Sequence, residues 1–148
     1  MVKALFGAGC FWGIEEYFRN IDGITDTKVG YSGGKTINPS YEDVCKGDTD
    51  HAEVIQINFD ENNISFQEIM SHFWKCHDPT QLNRQGPDVG RQYRSVIYYF
   101  SKEQKDIAIV SKKQAETSLS KLIVTEISEA KVFYLAEEYH QLFIKKRA

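Results

Sequence analysis

The chain contains 148 residues, 41% of them hydrophobic and 26% charged, which are the size and composition of one soluble globular domain. Eighteen Lys and Arg against 21 Asp and Glu give a net charge of −3, which argues against a general nucleic-acid binder because no excess positive charge is present. The longest apolar runs, at 96–100 and 132–136, are far shorter than the roughly 20 residues of a membrane-spanning helix, and the N-terminus predicts a strand rather than a signal peptide.

The hydrophobic pattern predicts strands and helices that alternate along the chain. Strands are predicted at about 2–8, 25–31, 53–59, 94–100 and 124–130, and helices at 11–20, from Ser65 to before Pro79, from Ser101 to about 118, and from about 135 onward. Residues 41–45 are predicted as one helical turn and 78–92 as a long loop. Ser65 with Glu68, and Ser101 with Gln104, are predicted capping boxes.

This order predicts one domain over residues 1–148 of the α+β class, with a mixed or antiparallel sheet and helices mainly on one side. The residues after about 100 are interpreted as scaffold without a chemical role. Cys10, Cys45 and Cys76 are odd in number and widely spaced, so we predict reduced thiols in a cytoplasm rather than a disulfide framework.

The segment Gly7-Ala8-Gly9-Cys10-Phe11-Trp12-Gly13 predicts a cysteine at the N-terminus of a helix. The free N–H groups and the positive end of the helix dipole stabilise an anion there, so we expect a lowered thiol pKa and a nucleophilic thiolate. Phe11 and Trp12 would place an apolar wall beside the sulfur. The alternative, a buried inert cysteine among core aromatics, stays open on spacing alone.

Alternation along residues 53–59 places Glu53 on the same strand face as Ile55, Ile57 and Phe59. A carboxyl at the end of an apolar stripe loses solvent, which raises its pKa and makes it a candidate proton donor near neutral pH. A solvent-facing Glu at a strand end is the alternative interpretation.

Asp88 and Tyr93 fall in and just after a loop that is rich in hydrogen-bonding side chains. A tyrosine hydroxyl donates well to an oxygen that develops negative charge, so Tyr93, and equally Tyr41, are candidate donors. The alternatives are loop capping for Asp88 and packing for the two tyrosines.

The chain resembles the type A peptide methionine sulfoxide reductases, which act on the S epimer of the sulfoxide. The resemblance covers about residues 4–100, and its motifs occur in the family's order. They are Gly9-Cys10-Phe11-Trp12-Gly13, Gly30-Tyr31-Ser32-Gly33-Gly34, Pro39-Ser40-Tyr41-Glu42-Asp43-Val44, Gly47-Asp48-Thr49-Asp50-His51-Ala52-Glu53, His77-Asp78-Pro79-Thr80 and the loop from Asn83 to Ser95.

The resemblance implies a fold and a set of roles. The fold is a two-layer α/β sandwich with a split β-α-β (ferredoxin-like) core. Cys10 matches the nucleophile, which becomes a sulfenic acid while methionine sulfoxide is reduced. The other matches are the methyl-pocket walls Phe11 and Trp12, the oxygen-binding and protonating groups Glu53, Tyr41 and Tyr93, and the organising residue Asp88. Repair of oxidised proteins without a metal or organic cofactor is the implied activity.

The sequence departs from the family at the recycling step. Many members carry a recycling cysteine in a glycine-rich C-terminal tail, whereas the last cysteine here is Cys76. We therefore expect an external thiol, thioredoxin, glutaredoxin or glutathione, to reduce the sulfenic acid in a monomeric enzyme. Internal recycling by Cys45 or by Cys76 is the alternative.

Two rival functions remain at this level, a thiol peroxidase-like cysteine enzyme and a catalytically silent module that binds methionine-containing peptides. A methyl-sized apolar pocket and a neutral carboxyl favour a sulfoxide over a peroxide. The four histidines lack the paired spacing of zinc sites, so we predict no metal, and His51 and His77 are interpreted as residues that orient loops.

Overall fold

The structure, a computed structural model, describes residues 2–148, and within them six strands form one sheet and two short strands form a separate hairpin. The strands are β1 (Val2–Ala8), β2 (Ile24–Ser32), β3 (Ala52–Phe59), β4 (Arg84–Gln85), β5 (Asp88–Val89), β6 (Ser95–Tyr99), β7 (Glu126–Glu129) and β8 (Tyr134–Leu135). The helices are α1 (Phe11–Arg19), α2 (Tyr41–Cys45), α3 (Phe66–Lys75), α4 (Lys102–Leu119) and α5 (Phe143–Arg147), with 3-10 turns at Arg91–Tyr93 and Glu138–His140.

The order of the large sheet is β7-β6-β1-β3-β2-β8. Strand β3 pairs antiparallel with both β1 and β2, so β1 and β2 run in the same direction on either side of it, joined by α1. This arrangement is a split β-α-β unit. Since β6 and β7 pair in parallel while the other pairs are antiparallel, the sheet is mixed, and the predicted fold class is confirmed.

The main core lies between the sheet and the helices. Phe6 of β1 contacts Phe18 of α1 and Phe73 of α3, with ring centroids 4.9 and 5.3 Å apart, and all three side chains are fully buried. Burying one such ring stabilises the fold by about 1.5–3 kcal/mol. A smaller cluster covers the opposite sheet face through Leu5, Ala52, Val54, Val96 and Tyr98. The sheet is therefore packed on both faces, and this packing fixes the strand ends that carry the candidate site.

Helix starts follow the capping patterns of the sequence. Ser65 and Glu68 make both hydrogen bonds of a capping box at α3. At α4, Ser101 accepts from the Gln104 N–H, but the Gln104 carboxamide accepts from the N–H of Phe100 and donates to the carbonyl of Lys3. The second predicted capping box is therefore half formed, because Gln104 ties the helix to β1 instead.

The predicted C-terminal helix from about 135 is wrong. Residues 134–135 form the edge strand β8, and α5 begins only at Phe143, after Leu142 adopts a left-handed φ of 53°. The Gln141 carboxamide accepts from the N–H of Val29 and donates to the carbonyls of Val29 and Ala136. Residues 134–136 are extended because their backbone pairs with the edge of β2, and Gln141 adds side-chain hydrogen bonds to the same edge.

Candidate active site

Cys10 lies at the turn between β1 and α1 and is the N-cap residue of the helix. The turn requires glycine at position 9, where φ is +97° and a Cβ would lie 2.8 Å from Cγ of Gln85. Cys10 is half-buried rather than sealed in the core, so its thiol stands where the sequence predicted, at a helix N-terminus and within reach of solvent.

The pKa of the Cys10 thiol is raised to about 11, chiefly by burial and then by the charges of Glu53 and Asp88, although the N–H groups of Trp12 and Gly13 lower it. The predicted lowering of this pKa is therefore wrong for the protein without substrate. Burial raises the pKa by more than the N–H groups at the helix N-terminus lower it. Near pH 7 the sulfur carries its proton.

Glu53 lies on β3, on the helix-facing side of the sheet with Ile55, Ile57 and Phe59, as the alternation predicted. Its Oε1 accepts a hydrogen bond of 3.1 Å from the backbone N–H of Phe11, the residue after the cysteine. Burial raises the pKa of Glu53 to about 8, against the effect of that hydrogen bond and with a smaller contribution from Asp88. Glu53 is therefore a neutral carboxylic acid at pH 7.

The predicted loop 78–92 contains the hairpin of β4 and β5, in which Gln85 pairs with Asp88. Gln85 lies against Gly9, so the hairpin covers the turn that carries Cys10. Asp88 is half-buried, and its charge raises the pKa values of Cys10, Glu53 and Tyr93. The hairpin thus brings Asp88 to the site.

Tyr93 and Tyr41 complete the polar part of the site. Burial raises the pKa of Tyr93 to about 12, with further contributions from the charges of Glu53, Cys45, Asp88 and Cys10. Burial, the hydrogen bond to Cys45 and the charge of Glu53 also raise the pKa of Tyr41. Both hydroxyls therefore keep their protons near pH 7, which suits them to donate hydrogen bonds.

Phe11 and Trp12 form the aromatic side of the site at different depths. Phe11 is buried and contacts the rings of Tyr31 and His140. Trp12 is half-buried, stacks at 3.8 Å on Phe143, and donates its indole N–H to Nδ1 of His140 at 2.8 Å. Electrostatic contacts link Cys10, Glu53, Asp88, Tyr93 and Tyr41, and the Trp12 ring lies 6.4 Å from that of Tyr41. The Phe11 side chain lies in the core, and this residue reaches the site through its backbone N–H.

Glu137 and His140 were missed, because everything after residue 100 was interpreted as scaffold. Glu137 accepts hydrogen bonds from the Tyr41 N–H and the Tyr31 hydroxyl, and the buried His140 holds Trp12. The segment is thus scaffold that supports the site directly, because it holds the Tyr41 backbone and the Trp12 ring. No local pattern could have revealed it, since the partners lie 96 to 128 residues away in the sequence.

The two other cysteines differ in their relation to the site. Cys45 is exposed, hydrogen-bonded with Tyr41 and within the influence of the Glu53 charge. Cys76 ends α3, where its thiol donates to the carbonyl of Phe73 and its charge affects Tyr17 rather than any site residue. Of the two, Cys45 is the one that interacts with residues of the candidate site.

The two loop histidines do orient loops. His51 accepts from the Gly34 N–H through Nδ1 and contacts the carbonyl of Thr36 through Nε2, both within 2.9 Å. His77 bridges the carbonyl of Phe73 and the hydroxyl of Ser95, both at 2.7 Å.

Along residues 2–148, no helix is both long and apolar enough to cross a bilayer. Nor does that part of the chain bring three or more His, Cys, Asp or Glu side chains together as a metal-binding group.

Comparisons with known proteins agree with this geometry. The family model for peptide methionine sulfoxide reductase matches residues 2–148. The peptide methionine sulfoxide reductase MsrA of Methanothermobacter thermautotrophicus is 55% identical over 146 residues, which cover 97% of this chain and 86% of that protein.

Solved structures agree as well. Reduced Mxr1 from Saccharomyces cerevisiae superposes with a TM-score of 0.94 at 39% identity, covering 98% of this chain and 84% of that one. Mxr1 in complex with Trx2 gives a TM-score of 0.70 at 28% identity, covering 94% and 83% of the two chains. The thiol, the neutral carboxyl and the aromatic rings lie around one helix N-terminus. Together with these similarities, they show that the chain belongs to the peptide methionine sulfoxide reductase family.

Proposed function

We propose that this chain reduces the S epimer of methionine sulfoxide, free or in proteins, with Cys10 as the nucleophile and Glu53 as the acid. The observation that carries the proposal is the neutral carboxyl of Glu53 at the same helix N-terminus as the Cys10 thiol. Its Oε1 is engaged by the Phe11 N–H, so the O–H of the acid is left to donate to the sulfoxide oxygen.

The reaction transfers oxygen from one sulfur to the other. Cys10 Sγ forms a bond to the sulfoxide sulfur while Glu53 gives its proton to the sulfoxide oxygen, and the thiol proton replaces it on the Glu53 carboxylate. The sulfur–oxygen bond of the substrate then breaks and the hydroxyl bonds to Cys10 Sγ, while the bond between Sγ and the substrate sulfur breaks and methionine leaves. The products are methionine, reduced by two electrons, and Cys10 sulfenic acid, oxidised by two.

The surrounding residues assist this step. Tyr41 and Tyr93 donate hydrogen bonds to the oxygen as it gains negative charge, an effect of the oxyanion-hole type. The charge of Asp88 raises the pKa values of Glu53 and Tyr93, which favours their protonated forms. The half-buried Trp12 ring forms the apolar wall that receives the methyl group of the substrate, while Phe11 lies behind the site in the core and holds Glu53 through its N–H.

Recycling needs two electrons from thiols. In the proposal an external reductant, a thioredoxin, glutaredoxin or glutathione, converts the sulfenic acid to thiol and water, and its own thiols become a disulfide. The Mxr1–Trx2 complex supports a thioredoxin. The proposal uses no metal or organic cofactor. All three cysteines are free, which supports the reducing cytoplasm, and one chain supplies every proposed catalytic group, which supports a monomer.

A direct assay tests the function. Each sulfoxide epimer, a methionine-sulfoxide peptide and hydrogen peroxide are supplied separately with dithiothreitol, thioredoxin or glutaredoxin. Turnover confined to the S epimer is expected. Turnover of peroxide with none of either sulfoxide would replace the proposal by a thiol peroxidase, and binding of methionine peptides without any turnover would replace it by a binding module.

A further inference from the structure

The C-terminal segment that follows β8 reaches the catalytic side of the molecule through one carboxylate. Glu137 uses both of its oxygens: Oε1 accepts from the hydroxyl of Tyr31 at 2.9 Å, and Oε2 accepts from the backbone N–H of Tyr41 at 3.0 Å. Tyr41 is the first residue of α2, and its side chain extends towards Cys45 and the charge of Glu53. Glu137 thus holds the backbone of Tyr41, and with it the position of the Tyr41 side chain.

The second contact of Glu137 ties this point to the strand that carries the acid. Tyr31 is fully buried on β2 and pairs directly with Glu53 of β3 in the sheet register. Its ring contacts Phe11 at 5.7 Å, so neither end of Tyr31 is free to move. A chain of contacts therefore runs from Glu53 through Tyr31 and Glu137 to Tyr41.

The charge of Glu137 suits this role. Burial alone would raise its pKa, but hydrogen bonds from the backbone N–H groups of Tyr41 and Glu137 and from the Tyr31 hydroxyl outweigh burial and lower it. Glu137 stays ionised while Glu53 is neutral, and an ionised acceptor makes hydrogen bonds about twice as strong as a neutral one. The two carboxyls near the site thus have opposite protonation states and different tasks.

We propose that Glu137 is a positioning residue, which holds the Tyr41 hydroxyl at its distance from Glu53 and so sets the rate of the chemical step. The inference rests on the proposed role of Tyr41 as a donor to the sulfoxide oxygen. Glu137 itself touches no reacting atom. It acts through the backbone of Tyr41, so its effect requires the Tyr41 hydroxyl to be present.

The test is a double-mutant cycle on the full chain. Glu137→Gln keeps the shape of the side chain but loses its charge, and it presents an N–H group to one of its two donors. Tyr41→Phe removes only the hydroxyl. The maximal single-turnover rate of methionine formation and the substrate concentration giving half of that rate are measured for both single variants and the double variant. Glu138→Gln is the matched control, because the side chain of Glu138 is 88% exposed and pairs with Lys146 away from the site.

We expect Glu137→Gln to lower the maximal rate about tenfold with less than a twofold change in the half-saturating concentration. In the Tyr41→Phe background the same substitution should change the rate less than twofold, since the hydroxyl that it positions is gone. Glu138→Gln should match the wild type. Tyr31→Phe, which removes the other contact of Glu137, should lower the rate in the same way.

The outcomes separate the inference from the function that it rests on. If Tyr41→Phe slows the reaction but Glu137→Gln does not, the positioning role is overturned and the role of Tyr41 stands. If the two losses multiply in the double variant, Glu137 acts independently of the hydroxyl and the inference is overturned. If Tyr41→Phe has no effect, both the donor role of Tyr41 and the positioning role of Glu137 are overturned. If Glu137→Gln fails to fold, the Tyr31→Phe cycle decides by the same criteria.

Discussion

The backbone N–H of Phe11 donates a 3.1 Å hydrogen bond to the carboxyl of Glu53, so the start of α1 carries the nucleophile at one residue and holds the acid at the next. Because the acid is buried, its pKa lies near 8 instead of the usual 4.5. The folded state therefore binds the Glu53 proton more tightly than the unfolded state does.

This difference makes stability depend on pH. The contribution of Glu53 is complete below about pH 4.5 and is lost as the pH rises through 8. Glu53→Gln is always neutral, so we expect this variant to be more stable than the wild type at pH 9, by about 4 kcal/mol, and similar to it at pH 5. Urea unfolding at both pH values measures the difference. If the free energies of unfolding of the two proteins differed by the same amount at pH 5 and pH 9, the pKa of Glu53 would not be raised in the folded state.

Cys10→Ser should abolish turnover of methionine sulfoxide, because a serine hydroxyl cannot replace the thiol as nucleophile and electron donor. Cys76→Ser is the control, since Cys76 contacts Phe73 and no group of the site, and we expect it to retain activity. Circular dichroism would show that both variants are folded. Turnover by Cys10→Ser at the wild-type rate would move the chemistry to another residue.

Removal of the tyrosine hydroxyls should slow the chemical step. Tyr41→Phe and Tyr93→Phe each lose one donor to the sulfoxide oxygen, so we expect each to lower the single-turnover rate roughly 10- to 100-fold, and the double variant to be slower still. Tyr99→Phe on β6 provides a control, because the Tyr99 ring contacts the ammonium group of Lys105, at 5.6 Å, instead of the residues of the site. Wild-type rates in both site variants would assign these tyrosines to packing.

The fate of Cys10 after one turnover distinguishes the recycling routes. Without reductant, mass spectrometry should find a sulfenic acid on Cys10 that a dimedone probe traps, with Cys45 and Cys76 as free thiols. Thioredoxin added afterwards should restore the thiol. A Cys10–Cys45 or Cys10–Cys76 disulfide as the main product would contradict the proposed direct reduction by an external thiol.

Local sequence patterns predicted the parts of the site that local structure decides. The alternation of β3 is enough to place Glu53 on the helix-facing side of the sheet, and the glycine turn is enough to place Cys10 at the start of α1. Strand and helix bounds agree with the structure to within a few residues up to about residue 129, because these elements have clear hydrophobic periods and caps.

What depends on distant contacts could not be predicted in this way. The sign of the Cys10 pKa shift depends on how deeply the fold buries the thiol and on the charges of Glu53 and Asp88, and no pattern around Cys10 shows this. The extended C-terminal segment likewise depends on its hydrogen bonds to Val29, Tyr41 and Trp12, which lie more than 90 residues earlier.

The pH dependence of a single turnover tests most directly whether a neutral Glu53 drives the reduction. Methionine formation is followed by rapid quench between pH 6 and pH 10, with no reductant present, for the wild type and for Glu53→Gln. Because the acid form of Glu53 persists below its pKa of about 8, the wild-type rate should stay level to about pH 7 and then fall towards tenfold per pH unit. Glu53→Gln should be much slower and lack this decline. A wild-type rate that rises through pH 8 would contradict a protonated Glu53 as the acid.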